Sequence, residues 1–180
     1  TNLTAARDCK TLAVKHILDT VLAARAFGGE ERVPKEIVDV GSGGGIPGIP
    51  LAILWEDSRV ILVESRKKKA VILENLVREL SLSNRVHVYA DRFERFKPRG
   101  CIWMRGFLPG EKLGAFLSQG FSAEGFPQTV LMKGPGWEKE KQEIILSTQI
   151  SIQWKKRFQR SKKIHYELPE GFGSRVIIVL

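Results

Sequence analysis

Ten residues, Asp39-Val-Gly-Ser-Gly-Gly-Gly-Ile-Pro-Gly48, constrain this chain more than any other stretch. They begin within Glu36-Ile-Val-Asp-Val40, a short run that reads as a buried strand, and the glycine turn follows it directly. Pro47 and Pro50 then suit the first turn of a helix, where a missing N–H costs little. Strand, tight glycine turn and helix in succession let a backbone approach a ligand closely, with helix N–H groups facing it. Glu64 ends the next apolar run, 23 residues after Gly41. An acid there can hold two ribose hydroxyls, because the first two strands of such a sheet are neighbours.

The remaining pattern repeats strand and helix. Residues 11–27 have helical spacing, with Gly28-Gly29 as the stop. Residues 59–64 read as the second strand, 67–80 as a strong helix, 85–90 as the third strand and 101–105 as a short fourth. A short helix over 113–119 precedes a fifth strand over 128–133, and 137–147 is helical. Residues 150–158 read as a sixth strand and 174–180 as a seventh, joined by a long loop. This alternation predicts an α/β fold: a Rossmann-like, mainly parallel seven-stranded sheet with helices on both faces. A single domain over 1–180 is expected, with a helical segment over 1–30 and the core over 34–180.

Composition narrows the partners. The net charge is +9, with thirteen cations against eleven anions in residues 1–90 and sixteen against nine in residues 91–180. That excess favours a polyanion over mere solubility, a well-solvated basic surface being the other reading. Uncharged residues 40–55 hold five Gly and two Pro, so they form no membrane helix. Arg7, Asp8, Lys10 and Lys15 interrupt any signal-peptide core, and a cytoplasmic monomer is expected. Cys9 and Cys101 share no short spacing, and His16, His87 and His165 form no metal pattern, so no metal is expected.

Two registers compete in the glycine loop. Gly43, Gly45 and Gly48 fit a dinucleotide fingerprint, which leaves a nucleotide-dependent oxidoreductase open. The register Asp39, Gly41, Gly43, Gly45 begins at the strand end and resembles motif I of class I S-adenosylmethionine methyltransferases. The closing pair of strands without a helix between them also resembles that fold, whose last strand is inserted antiparallel.

A more specific resemblance runs through Asn2-Leu-Thr-Ala5 with Arg7-Asp8, Val14-Lys-His-Ile-Leu-Asp19 and the glycine loop to Leu51. It continues through Glu64-Ser-Arg-Lys-Lys68, residues 75–82 and Asp91-Arg-Phe-Glu94, then more faintly to Lys133-Gly134 and Arg175. These blocks are similar to the RsmG family, formerly glucose-inhibited division protein B, the 16S rRNA guanine-N7 methyltransferases. The resemblance implies S-adenosyl-L-methionine as cofactor and 16S rRNA or the assembling small ribosomal subunit as partner. It implies a cofactor site of Asp39, Gly41, Gly43, Gly45, Ile46, Glu64 and Arg105, with Phe93 and Glu94 beside the adenine and Arg105 also near the methyl-transfer cleft. His16, Lys67 and Lys133 match positions around the same opening, His16 and Lys133 as catalytic candidates beside Arg105. The chain departs from the family at Met104-Arg105-Gly106, where Arg-Ala is usual, and at Phe93, where a small residue is common. A methyltransferase-fold RNA binder without turnover is the other reading of these departures.

Lys155-Lys-Arg-Phe-Gln-Arg-Ser-Lys-Lys163 holds six cations and no acid, with Trp154 and Phe158 interleaved. Cations can track phosphates while aromatics stack on bases, which makes Lys155, Lys156, Lys162 and Lys163 RNA-binding candidates with Lys67. Strand alternation would instead bury the two aromatics and leave the cations solvated.

Overall fold

The Asp8 carboxylate accepts the Thr11 N–H at 2.7 Å and so caps the first described turn, α1 (Cys9–Leu12). The computed structural model describes residues 8–180, so the Asn2-to-Ala5 block and Arg7 lie outside the described residues. After α1 the rod continues without a break through a π-helical stretch, Ala13–Leu18, into α2 (Asp19–Phe27). Gly28, at φ +150°, ends it where the paired glycines predict.

Five strands then alternate with helices. They are β1 (Glu36–Val40), β2 (Arg59–Val63), β3 (Val86–Tyr89), β4 (Cys101–Arg105) and β5 (Thr129–Lys133). Helices α3 (Gly48–Leu54), α4 (Lys67–Glu79), α5 (Gly110–Gly120) and α6 (Trp137–Leu146) connect or follow them. Two further strands, β6 (Lys162–Leu168) and β7 (Gly173–Val179), close the sheet in the order β3-β2-β1-β4-β5-β7-β6. All pairings from β3 to β5 are parallel, and β7 is inserted antiparallel between β5 and β6. A dinucleotide-binding sheet runs parallel through its sixth strand. The antiparallel β7 therefore selects the methyltransferase register of the glycine loop over the oxidoreductase one.

Successive strand residues point to opposite faces, and each face carries its own core. Ile37, Leu62 and Trp103 pack with Phe27, Leu51 and Leu73 of α2, α3 and α4. Val38, Val63 and Met104 pack on the other face with Leu117, Ile144 and Phe158. Helices on both faces leave only the strand ends open. The order reverses between β1 and β4, and a crevice opens outside their C-terminal ends at such a switch point.

One element differs from its sequence reading. Residues 150–158, expected as a sixth strand, instead form α7 (Ile152–Gln159), and β6 follows as one arm of a tight hairpin with β7 rather than a strand before a long loop. Trp154 and Phe158 are both buried, as they would be on a strand, because a spacing of four returns to the same face under either period. The deciding signal is Ser151, whose hydroxyl caps α7 by accepting the Trp154 N–H at 3.5 Å. Arg157 then turns inward, its guanidinium donating to the carbonyls of Ala123 and Pro127 at 2.8 Å each.

The cap gives a test of this helix. Ser151→Ala should lower unfolding stability by about 0.5–1 kcal/mol in urea titration. A strand starting there would lose no cap, and an unchanged midpoint would contradict the helical assignment.

Candidate functional site

At the C-terminal end of β1 the chain turns through the glycine loop, held from below by two carboxylates. Asp39 Oδ2 accepts the Gly48 N–H at 2.9 Å, joining strand to helix across the loop. Glu64, just past β2, accepts the Gly43 N–H at 3.1 Å and the Arg66 N–H at 2.8 Å, one on each oxygen. Asp39 is 1% exposed and its Oδ1 has no hydrogen-bond partner. Burial is the main reason its carboxyl is pushed up to about 7, against the downward pull of the Gly48 and Ser42 contacts.

The glycines have different tasks. Gly43, at φ +56°, would give a Cβ only ordinary contacts, the nearest being the Gly41 carbonyl oxygen at 3.7 Å. Gly41, at φ +74°, lies under Phe107, whose ring would come within 2.5 Å of such an atom. Gly45 and Ile46 turn the other way and line an apolar groove of about 580 Å³ with Leu12, Ile17 and Ile53. The structure therefore separates these two from the other cofactor candidates.

Two cavities open at this edge of the sheet. The first, about 360 Å³, is lined by Val40 and Gly41 at the end of β1, Val63 and Ser65 around Glu64, Asp91 to Glu94 after β3, and Phe107, Leu108 and Phe116. Glu64 itself, between two lining residues, is buried at 6% exposure. Phe93 borders the cavity while belonging to the core, 3% exposed and stacked on Phe116 at 6.3 Å between ring centres. The second cavity, about 440 Å³, is lined by Asp19, Arg105, Gly106, Met132, Lys133, Gly134, Tyr166 and Arg175. Residues 105–106 border one cavity and 107–108 the other, so the loop after β4 is a wall they share.

The three catalytic candidates are held differently. Arg105 Nε donates to Asp19 Oδ2 at 3.4 Å and its Nη2 to the Lys15 carbonyl at 2.7 Å, binding the end of β4 to the N-terminal helix. His16 lies on that helix, half-buried, and burial followed by the Arg105 charge lowers its pKa from the usual histidine value. Lys133 borders the second cavity, but its amine is taken up by Glu140 at 2.7 Å and the Leu108 carbonyl at 3.3 Å. Glu140 also accepts the Gly110 N–H at 2.8 Å, so the lysine braces the start of α5 rather than standing as a loose base.

Asp19, Tyr166 and Phe107 were not singled out from the sequence. Asp19 carried a signal: it lies four positions before Ala23 and eight before Phe27, both buried, so a carboxylate falls on the inner face of a helix. Phe107 carried none.

The basic candidates divide between the two edges of the sheet. Lys67 opens α4 beside the glycine loop, exposed with Arg66 and Lys68. Lys162 and Lys163 instead begin β6, level with Val179 and Ile178, and Val179 is in turn level with Val130 near the start of β5. That is the edge opposite the loop. Lys163 is also paired with Glu138 at 2.6 Å, while Lys155 and Lys156 lie on the neighbouring α7. Among the described residues no three His, Cys, Asp or Glu side chains cluster as a metal site, and no helix is long and apolar enough to cross a membrane.

The family model described as rRNA small subunit methyltransferase G, GidB, matches residues 1–166. A relative in Solibacter usitatus named ribosomal RNA small subunit methyltransferase G is 33% identical over 180 residues, covering 98% of this chain and 80% of its own. One of the same name in Histophilus somni is 32% identical over 183 residues, covering 99% and 77%. Among solved structures, the S-adenosylmethionine-dependent methyltransferase SibL superposes with a TM-score of 0.58 at 16% identity, over 89% of this chain and 53% of its own. The fold is that of the class I S-adenosylmethionine methyltransferases.

Asp39 gives the site a pH signature. An unfolded aspartate titrates near about 4, and Asp39 at about 7. Between those values the native state keeps a proton that the unfolded state has released, so this group's contribution to stability falls as pH rises through the window and is level above it. Asp39→Asn should remove that slope, so the wild type should lose stability relative to the variant between about pH 4 and 7. Urea unfolding at a series of pH values measures it, and parallel curves for the two proteins would refute the assignment.

Proposed function

The chain belongs to the rRNA small subunit methyltransferase G family, and from that membership we propose that it methylates guanine N7 in 16S rRNA, with S-adenosylmethionine in the 360 Å³ cavity and the target base in the 440 Å³ one. One observation carries the reading: both cavities open at the switch-point edge and share the loop after β4 as a wall.

The first cavity suits the cofactor. Its volume is in the range of small-molecule sites, roughly 300–1,000 Å³. A carboxylate has roughly four acceptor positions, and the loop N–H groups use one on each oxygen of Glu64, which leaves capacity for ribose hydroxyls. Gly41 brings loop backbone to the cavity lining, and Phe93 and Glu94 border the side assigned to adenine. Bound there, S-adenosylmethionine supplies a methyl group on a positively charged sulfur.

Guanine N7 has a free lone pair, the acceptor that proteins read in nucleic-acid grooves. In the transfer the N7–methyl bond forms, the sulfur–methyl bond breaks with its electron pair left on sulfur, and no proton moves. What the protein must supply is alignment. Arg105, at the end of β4, can meet a phosphate or the guanine O6 with a planar fork that lysine does not reproduce. Lys67, with its exposed neighbours Arg66 and Lys68, provides positive charge at the same edge. The run from Lys155 to Lys163 serves an RNA only if the strand also wraps to the opposite edge.

Labelled S-adenosylmethionine incubated with rRNA, followed by nucleoside digestion, should give 7-methylguanosine. No transfer to naked rRNA or to small subunits would favour a binding protein without turnover. Glu64→Ala should weaken S-adenosylmethionine by about 1.5–3 kcal/mol, the value of a charged hydrogen bond, in calorimetry on the folded variant. Unchanged affinity would remove the cofactor assignment.

RNA binding should fall with salt, and charge neutralisation locates the contact. Lys67→Gln with Lys68→Gln should lower the slope of log K against log salt by about 0.7 per lost phosphate contact on single strands. Joint neutralisation of Lys155, Lys156, Lys162 and Lys163 should leave that slope near wild type. The reverse pattern would put the RNA on the opposite edge.

A further inference from the structure

Asp19 is the most heavily partnered side chain of the second cavity. It opens α2 directly after the π-helical stretch, on the helix's inner face, and is 3% exposed. A carboxylate so buried persists only when paired. The Tyr166 hydroxyl donates to Oδ1 at 2.7 Å, Arg105 Nε donates to Oδ2 at 3.4 Å, and Arg175 Nε lies 4.0 Å from Oδ1. These partners come from β6, β4 and β7, so a single carboxylate joins the N-terminal helix to three strands where they reach the cavity.

Two features separate this cluster from an ordinary buried tie. The first is charge. One carboxylate faces two guanidiniums, which leaves an uncompensated positive charge beside a cavity open to solvent. Neutralisation alone would need one arginine. The second is direction. Arg105 is fixed through two of its nitrogens, Nε on Asp19 and Nη2 on the Lys15 carbonyl, acceptors one helical turn apart. Two acceptors on one rigid element set the plane of the guanidinium as well as its place. Tyr166 completes the set: burial first, then the Asp19 charge, raises its pKa from the ordinary phenol value, so it remains a donor to the carboxylate at neutral pH.

We propose that Asp19 is a positioning residue for methyl transfer, fixing the plane of the Arg105 guanidinium at the end of β4 while Tyr166 holds the carboxylate in turn. The proposal rests on the reading that Arg105 meets the RNA in the transfer cleft. Asp19 touches no reacting atom. It acts through the arginine, and misplacing a substrate-gripping group by about 1 Å is enough to cost roughly 100-fold in rate.

A double-mutant cycle on the full chain tests this, read by single-turnover methyl transfer at saturating S-adenosylmethionine and rRNA. Asp19→Asn should lower the rate by about 10- to 100-fold, with S-adenosylmethionine affinity by calorimetry within about twofold of wild type. Arg105→Ala should lose at least as much, and the double variant should be no slower than Arg105→Ala, since nothing remains to position. Tyr166→Phe keeps the ring and should give a smaller loss of the same kind; it replaces Asp19→Asn in the cycle if that variant does not fold. Losses that multiply in the double variant overturn the proposal and leave the cleft reading intact. So does an Asp19→Asn protein that transfers at the wild-type rate while melting lower, because the carboxylate is then a helix tie and nothing more. A wild-type rate for Arg105→Ala overturns the cleft reading itself, and this proposal with it.

Discussion

The ligand edge depends on one buried hydrogen bond, from the Gly48 N–H to Asp39 Oδ2 at 2.9 Å. It joins the end of β1 to the start of α3 and so fixes the loop between them. The contact needs glycine as donor residue, because a Cβ on Gly48 would collide with Leu62 and approach Asp39 Oδ2 to 2.7 Å. It also has a cost. A hydrogen bond to a charged group contributes about 1.5–3 kcal/mol, whereas burying a carboxylate costs several. The rise of the Asp39 carboxyl to about 7 means that desolvation wins. The same acid holds the backbone of the glycine loop, with Glu64 holding its other side through Gly43. Adjacent strand ends thus carry adjacent acids, one beneath the loop and one between two residues that line the first cavity.

Electrostatics at this edge follow from how the cations are held. Lys133 is matched by Glu140, and Arg157 is spent on backbone carbonyls inside the α7 side of the core. Arg66, Lys67 and Lys68 are left exposed beside the loop, and the Asp19 cluster keeps one arginine more than its carboxylate balances. A net charge of +9 says only that a polyanion is favoured. Which cations are already matched by partners decides where it can bind.

Legibility in the sequence followed the range of the interactions. The glycine loop and the first five strands were readable because each rests on local chemistry: glycine turns, apolar runs, helix stops. The α7 segment was misread because Trp154 and Phe158, four apart, sit on one face of a helix and of a strand alike, and the weak Ser151 cap was the one local sign that separates them. The placement of Lys162 and Lys163 was unreadable for another reason. Their edge is set by the direction of β6, which follows from its hairpin with β7 and not from its own residues. Asp19 shows the same limit more sharply, since Arg105 and Tyr166 lie 86 and 147 residues away.

Two titratable groups beside Arg105 are held toward their neutral forms. Burial and the Asp19 charge keep Tyr166 protonated, and burial with the Arg105 charge holds His16 toward its neutral form. Lys133 is held by Glu140 and the Leu108 carbonyl, and Glu140 also takes the Gly110 N–H at the start of α5. A general base needs a pKa near the working pH and hydrogen-bond reach of the proton it takes. Attack by a ring nitrogen on a sulfonium methyl takes no proton, so it places no such demand. An exocyclic amine, which must shed a proton on methylation, would. The arrangement is therefore matched to a nucleophile that arrives with its lone pair free, and the burden on the protein passes to geometry: the loop held by Asp39 and Glu64 on one side of the β4 wall, and Arg105 held by Asp19 on the other.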